Sequence, residues 1–404
     1  MTIRYLDNFP PPPDLNMKWF YRCYCCGASY DLVVGRYLCD VCSQQQQPER
    51  PLAGVLELAW EGAAETHGIP LPVEPEWFAP IPVGNTPLWA PQRLREQFDA
   101  PHLWLKDDTC NPSGSFKDRA SWLVAAFAKK HGVQEIVLAS TGNAASSMAA
   151  VGAAAGLRIK VFLPASAPAA KRIQVLQYGA ELIAVDGSYD HAFDLSLDYS
   201  TRTGSMSRNT AYNPLTIEGK KTVSFEIVQD LHEAGARAPD HVFVPVGDGV
   251  ILAGVYRGFE DLLKLGRIQK IPTIWACQAE GSSAIARALA SGREGADAFG
   301  APISSQTLAD SIAVDVPRNG LHALSKLRKY GGKAVIVSDA EILAAQKTLA
   351  SLSGLFAEPS SSAAFAGWLK VRATISTQEN CVLLITGSGL KDVKSAALGL
   401  GLEP

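Results

Sequence analysis

An α/β fold with parallel sheets is predicted from three observations. Short apolar runs rich in β-branched residues alternate with longer helical patterns, and glycines end several of the helical patterns. The runs are apolar throughout rather than alternating apolar with polar, as strands covered by helices on both faces are.

Taken in order, Glu135–Ala139 is a candidate buried strand and residues 144–155 a small-residue helix stopped by Gly156. Residues 158–163 form the next strand, residues 169–178 a helix stopped by Gly179, and Glu181–Val185 a third strand. Later strand candidates are residues 241–246, 273–277 and 334–337, and Cys381–Ile385. A chain of 404 residues is long for one domain; at roughly 150 residues per domain, two or three units are expected. Its 47% hydrophobic content supplies a sizeable core. A proline-rich stretch from Pro51 to Pro87 reads as a connecting arm rather than a packed domain.

With 37 Lys+Arg against 40 Asp+Glu and a formal net charge of −3, the surface offers no general attraction for nucleic acid or anionic membrane. The expected partner is a small molecule. The opening segment has no apolar signal-type core before the run Pro10 to Pro13, and apolar runs such as residues 147–157 are too short to span a bilayer. A cytoplasmic location is expected. Five of the eight cysteines crowd between Cys23 and Cys42, whereas an extracellular disulfide framework would spread its pairs.

Cys23-x-x-Cys26 and Cys39-x-x-Cys42 are two knuckles twelve residues apart. Four thiolates aimed at one point suit tetrahedral zinc with no open position, so the role would be structural. The alternative is a hairpin of reduced thiols. A nucleic-acid-binding ribbon is the third reading, and Lys18, Arg22, Arg36 and Arg50 are thin for phosphate contacts. Cys25 also lies in the first knuckle, but the two-residue gap favours Cys23 and Cys26.

The most informative segment is Asn111-Pro112-Ser113-Gly114-Ser115-Phe116-Lys117-Asp118-Arg119. Asn-Pro and Ser-Gly punctuate a turn, and a helical pattern follows to about residue 130. Lys117 is thus expected at a helix start, whose positive end lowers an amine's pKa and favours the nucleophilic neutral form that a Schiff base needs. From these residues alone, a capping loop with a solvated lysine remains the other reading. Pro245-Val246-Gly247-Asp248-Gly249-Val250 follows a strand and opens a helix, so its backbone N–H groups could approach a phosphate. It matches the dinucleotide fingerprint poorly, lacking the third glycine. Ser140-Thr141-Gly142-Asn143-Ala144 makes a similar junction, either a plain cap or a binding loop.

The lysine segment closely resembles the cofactor-lysine motif of the threonine synthases, within the tryptophan-synthase-like (fold type II) pyridoxal-phosphate enzymes. Gly84-Asn85-Thr86-Pro87-Leu88 resembles the family's segment ahead of that lysine, and Ser140 to Ala144 its Ser-x-Gly-Asn loop. Thr386-Gly387-Ser388-Gly389-Leu390-Lys391-Asp392 resembles its Thr-Gly-x-Gly-Leu-Lys-Asp ending. The resemblance runs from about residue 83 to 392, and some members carry a cysteine-rich N-terminal extension. Two positions depart: Asp248 sets a carboxylate in the expected phosphate loop, and Ser388 stands where many members carry His.

The resemblance implies pyridoxal 5'-phosphate held as a Schiff base on Lys117, which then serves as acid and base. It places Phe116 beside the cofactor, Asn143 at its 3-oxygen, Val246, Gly247, Asp248, Gly249 and Val250 at its phosphate, and Thr386 at its ring nitrogen. Ser115, Ser140, Thr141, Gly142, Asn143 and Ala144 would bind the substrate. The implied reaction turns O-phospho-L-homoserine and water into L-threonine and phosphate. Ser115, Thr141, Lys220 and Arg119 are candidates for the substrate phosphate. Because the cofactor motifs are shared, a serine/threonine dehydratase or another β/γ-elimination or replacement enzyme is the alternative. A non-catalytic cofactor-binding or zinc-ribbon interaction protein is opposed by the intact Lys117, Asn143 and Thr386. The implied architecture is a homodimer with two open parallel-sheet lobes in each chain. Residues 81–117 with 211–404 would form the large lobe and 118–210 the small one, preceded by a zinc-ribbon-like extension (1–50) and an arm (51–80).

Overall fold

A computed structural model describes residues 17–62, 68–165 and 169–403; the expectations made for the opening segment and Pro10 to Pro13 fall outside them. Two sheets are predominantly parallel. The larger has six strands in the order Lys333–Val337, Thr273–Ala279, His241–Pro245, Cys381–Ile385, Leu103–Asp107 and Leu88–Trp89, and only the last pairs antiparallel. The smaller has four parallel strands in the order Glu181–Val185, Arg158–Pro164, Glu135–Ala139 and Met206–Ser207.

Helices on both faces explain the continuous apolar strands. Along His241–Pro245 every residue is buried, yet Val242 and Val244 join one core while Phe243 joins the core on the opposite face. Parallel register also fixes where chemistry can sit. Ile385 lies beside Asp107 and Pro245 beside Cys277, so these strands end at one edge and their following loops leave together.

Leu103–Asp107 is a strand that the sequence-based expectation lacks, and two of its five residues, Lys106 and Asp107, are charged. Lys106 is nevertheless fully buried, neutralised by Glu226 at 2.9 Å and Asp230 at 2.7 Å. A second difference concerns the expected arm. Leu56–Glu61 is a strand that pairs with Lys18–Cys23, making with Ser29–Asp31 a three-stranded antiparallel sheet. The apolar run Leu-Glu-Leu-Ala-Trp outweighs the prolines around it: residues 56–60 are all buried. The strand is fastened to the helix Val250–Lys264, where Trp60 Nε1 donates to Asp261 and Arg257 donates to the Leu58 carbonyl. Among the described residues, no helix is long and apolar enough to cross a membrane.

Candidate active site

The segments singled out in the sequence are knitted to one another at the strand edge. In the loop after Leu103–Asp107, Gly114 takes φ +80° to close a turn, its N–H donating to Asn111 O at 2.7 Å. Asp118 holds that turn from the helix side, accepting from the Ser113 N–H at 2.7 Å and the Ser113 hydroxyl at 2.5 Å. The Gly84 N–H donates to Asn111 Oδ1 at 3.0 Å, and Thr86 Oγ1 donates to Asp108 at 2.7 Å, which ties in the first motif. The last motif zips on from the other side: Phe116 N–H reaches Thr386 O at 2.9 Å and Ser388 N–H reaches Gly114 O at 3.0 Å.

Lys117 opens the helix Lys117–Lys130 and lines a cleft of about 1150 Å³, together with residues 140–144 and 246–250. Its amine is held below the ordinary lysine value chiefly by burial, with Arg208 adding to the effect and Glu358 opposing it. Burial thus leads the shift, ahead of the helix end that the sequence suggested. The phosphate-type loop is shaped by close approach. A Cβ on Gly247 would lie 2.9 Å from Ile312 Cα, and one on Gly249, at φ +86°, 2.7 Å from Ala323 Cβ. Asp248 is accommodated because its carboxylate accepts from the Arg318 N–H at 3.0 Å.

Gly142 precedes the helix Asn143–Ala155, with its N–H on Ser140 Oγ at 3.1 Å. The Asn143 amide donates to both oxygens of Glu358 at 3.1 Å and to Ser311 Oγ at 3.3 Å. Thr386 Oγ1 lies 3.0 Å from Ser361 Oγ. Ser115, Phe116 and Thr386 are buried but do not line the cleft themselves; among the described residues, the Ser115 hydroxyl has no hydrogen-bond partner.

One candidate is corrected. Arg119 cannot serve the substrate phosphate, because its guanidinium is fully taken up by Asp108 (2.6 and 2.9 Å) and Glu226 (2.5 and 2.8 Å). Lys220 remains beside the cleft. The sequence reading missed Glu358 and Ser361. Glu358 precedes Pro359 at the first turn of the helix Pro359–Val371, an N-terminal signature visible in the sequence. Its place at the site depends on Gly387, where a Cβ would come within 2.6 Å of the Glu358 carboxyl.

These observations fit pyridoxal phosphate: a lysine amine kept out of ion pairs, a two-glycine cup ahead of a helix, and hydroxyls at the inner wall. At the end of the strand Lys18–Cys23 and in the turns beside it, the sulfurs of Cys23, Cys26, Cys39 and Cys42 all lie within 4.8 Å of one another, and Cys25 is not among them.

Residues 80–387 match the family model described as pyridoxal-phosphate dependent enzyme. The chain is 37% identical over 327 residues to the threonine synthase of Methanosarcina acetivorans, covering 80% of this chain and 78% of that protein. It is 35% identical over 348 residues to the threonine synthase of Synechocystis sp., covering 85% and 86%. Among solved structures, maize serine racemase superposes with a TM-score of 0.65 at 22% identity, covering 76% of this chain and 88% of that one, a likeness of fold. Processed threonine deaminase isoform 2 of Solanum lycopersicum gives 0.65 at 23% identity, covering 78% and 83%. With the family match running across both parallel sheets and the loops that meet at Lys117, the chain belongs to the pyridoxal-phosphate dependent enzymes, among the threonine synthases.

Proposed function

We propose that this chain converts O-phospho-L-homoserine and water to L-threonine and phosphate. The observation that carries the reading is the convergence of Lys117, residues 140–144 and residues 246–250 on one cleft, in a chain 37% identical to a threonine synthase. When bound, pyridoxal phosphate supplies an electron sink for negative charge developing on the substrate carbons. Lys117 would hold it covalently, residues 246–250 its phosphate, Asn143 its 3-oxygen and Thr386 its ring nitrogen, with Phe116 alongside.

The remaining work falls to the chain. Residues 140–144 bind the substrate carboxylate with N–H groups at the start of a helix. A lysine held below its usual pKa takes a proton from Cα and then from Cβ, and returns protons as the phosphate leaves Cγ and water adds at Cβ. Residues 118–210 act as the small lobe against residues 81–117 and 211–404, and their closure would exclude bulk solvent while retaining the water that adds at Cβ. Loading the purified protein with cofactor and following phosphate and threonine from O-phospho-L-homoserine tests the reading. Equal appearance of both supports it; a cofactor-loaded protein that forms neither sinks it.

The cysteine set is read as a structural zinc site. A tetrahedron with Zn–S of about 2.3 Å has sulfur–sulfur edges of about 3.8 Å. Cys23 and Cys42 lie 3.8 Å apart, Cys26 and Cys39 3.7 Å. Elemental analysis should find one zinc per chain, lost in the Cys39→Ser variant. A cytoplasmic homodimer completes the reading, and light scattering that gave a monomer mass would remove the dimer.

A further inference from the structure

Residues 246–250 form the cup read as holding the cofactor's phosphate, and one neighbouring residue bonds it twice. Asn319, just before the helix Gly320–Lys329, is fully buried. Its N–H donates to Asp248 O at 3.1 Å and its side-chain amide to Gly249 O at 3.2 Å. Gly249 is pressed on the same segment, where an added Cβ would lie 3.4 Å from Asn319 O. A peptide unit is planar, with its C=O and N–H pointing opposite ways. Pinning the carbonyls of Asp248 and Gly249 therefore aims the N–H groups of Gly249 and Val250. A cup binds phosphate only when such N–H groups converge.

Asn319 is in turn held from the cysteine unit. His322 Nδ1 lies 3.3 Å from Asn319 Oδ1 and its Nε2 lies 2.6 Å from Glu57, so the imidazole spans the two. Lys326 meets the same Glu57 carboxylate at 2.5 Å, and the Tyr24 ring lies against His322 with centroids 4.9 Å apart. The Leu52 N–H donates to Arg318 O at 2.8 Å. Tyr24, Leu52 and Val55 share one apolar cluster with Val250 and Ala253, at the start of the helix that follows the cup. All these contacts come from residues that the two cysteine knuckles grip. Tyr24 sits inside the first knuckle. Cys23 pairs with Leu56, Leu38 bridges Val55, and the Cys39 N–H donates to Gly54 O at 2.8 Å. Knuckles joined through one metal would hold residues 54–57 from both sides. Just past Cys42, residues 46–50 and Leu52 line the cleft itself.

We infer that Asn319, held through His322 by Glu57 and Tyr24, is a positioning residue for the cofactor-phosphate cup, and that metal occupancy at the four cysteines and retention of the cofactor are linked through it. The inference rests on the readings of the cup and of the zinc site above, and joins what each leaves separate. A metal that ties the knuckles keeps Glu57 and Tyr24 in place, they hold His322, and His322 holds the Asn319 amide against the cup. Without the metal, residues 54–57 are gripped by hydrogen bonds and packing alone. Ordering the cup then falls to the cofactor, which lowers its affinity. Such a linkage is reciprocal, so the cofactor must strengthen metal binding by the same factor.

The test titrates pyridoxal phosphate, by its visible absorbance, into full-length cofactor-free protein that is either loaded with zinc or stripped by chelation. The zinc-free protein should bind the cofactor about fivefold or more weakly. Cofactor-loaded protein should in turn hold zinc against a competing chelator more tightly by the same factor. Asn319→Ala should bind the cofactor more weakly while keeping its zinc, and zinc removal should then cost little further. His322→Phe, which keeps a ring beside Tyr24 but drops both polar contacts, should behave in the same way. The thermal midpoints of the zinc-loaded variants establish that they are folded. Equal cofactor affinity with and without zinc overturns the linkage. Wild-type affinity in Asn319→Ala overturns the positioning role, and weaker affinity with the zinc effect intact overturns the route through Asn319. A chain that takes up no zinc removes the zinc reading and the linkage with it, while the Asn319→Ala titration still decides the positioning role. A zinc-loaded chain that binds no pyridoxal phosphate overturns the active-site reading and this inference together.

Discussion

Two charged clusters are buried within a few residues of each other, and they are built on opposite rules. Behind the lysine helix, Arg119 and Lys106 are matched by Asp108, Glu226 and Asp230, with Thr86 and Thr222 filling the remaining bonds. On the cleft side, burial lowers the pKa of Lys117, Lys220 and Arg208, Arg208 lowers both lysines further and Lys117 lowers Lys220, and the three have no ion-pair partner among the described residues. Lys117 and Arg119 are two residues apart on one helix and share one sequence motif. The contrast teaches that a motif residue can serve as scaffold or as chemistry depending on which side of the helix it faces. Neutralised charge holds the loop, and uncompensated charge is kept for ligands.

The largest effect expected is on the cleft side. Lys117→Ala removes the only motif lysine that opens on the cleft, and activity should fall by about 10²–10⁴-fold or more, as for loss of an acid–base group. Its thermal midpoint should stay close to wild type, since Lys117 makes no ion pair among the described residues. Activity surviving at wild-type level would end the assignment of Lys117. The paired cluster should behave in the reverse manner. Arg119→Met leaves Asp108 buried without its ion-pair partner and Glu226 with Lys106 alone, for a loss of about 3–5 kcal/mol in chemical denaturation. If the variant is as stable as wild type but inactive, Arg119 belongs to the chemistry after all.

The same contrast explains what could be read from the sequence. Strand, loop and helix boundaries are local, so the lysine turn and the glycine loops that meet at the cleft were visible as motifs. Long-range pairing was not. Glu226 lies 107 positions from Arg119, and nothing nearby in the chain says that Arg119 is already bonded. The buried strand Leu103–Asp107 was hidden for the same reason: its lysine looks solvated until Glu226 and Asp230 are brought to it. Glu358 reaches the site only through the gap left by Gly387, a contact between segments that merely look like a helix start and a loop. The proline-flanked Leu56–Glu61 was legible as an apolar run, but its partner strand lies on the far side of the cysteines.

Acid should probe the paired cluster at a smaller scale. Burial alone would raise the Glu226 carboxyl, but Arg119 and Lys106 hold it far below the usual glutamate range. A depressed carboxylate contributes stability above its unfolded pKa of about 4.3 and loses it as pH falls through the folded value. Wild-type stability should therefore drop below about pH 4.3 more steeply than that of Glu226→Gln, whose lower starting stability lacks this titration. Parallel acid denaturation curves for the two proteins would show that Glu226 carries no such charge.

The smallest effect comes from the unpaired side, and its sign is opposite. In the protein without bound cofactor or phosphate, Lys220 has a folded pKa well below its unfolded value of about 10.4. Between the two values the unfolded chain binds the extra proton, so Lys220 costs stability at low pH and progressively less as pH rises. Lys220→Gln removes that titration. At neutral pH the variant should match or exceed the wild type in thermal midpoint, and its advantage should shrink toward about pH 10.4. A variant that is instead less stable at neutral pH, by an amount that grows with alkalinity, would mean that Lys220 is held as a cation by a carboxylate. The cleft would then be balanced like the cluster behind it.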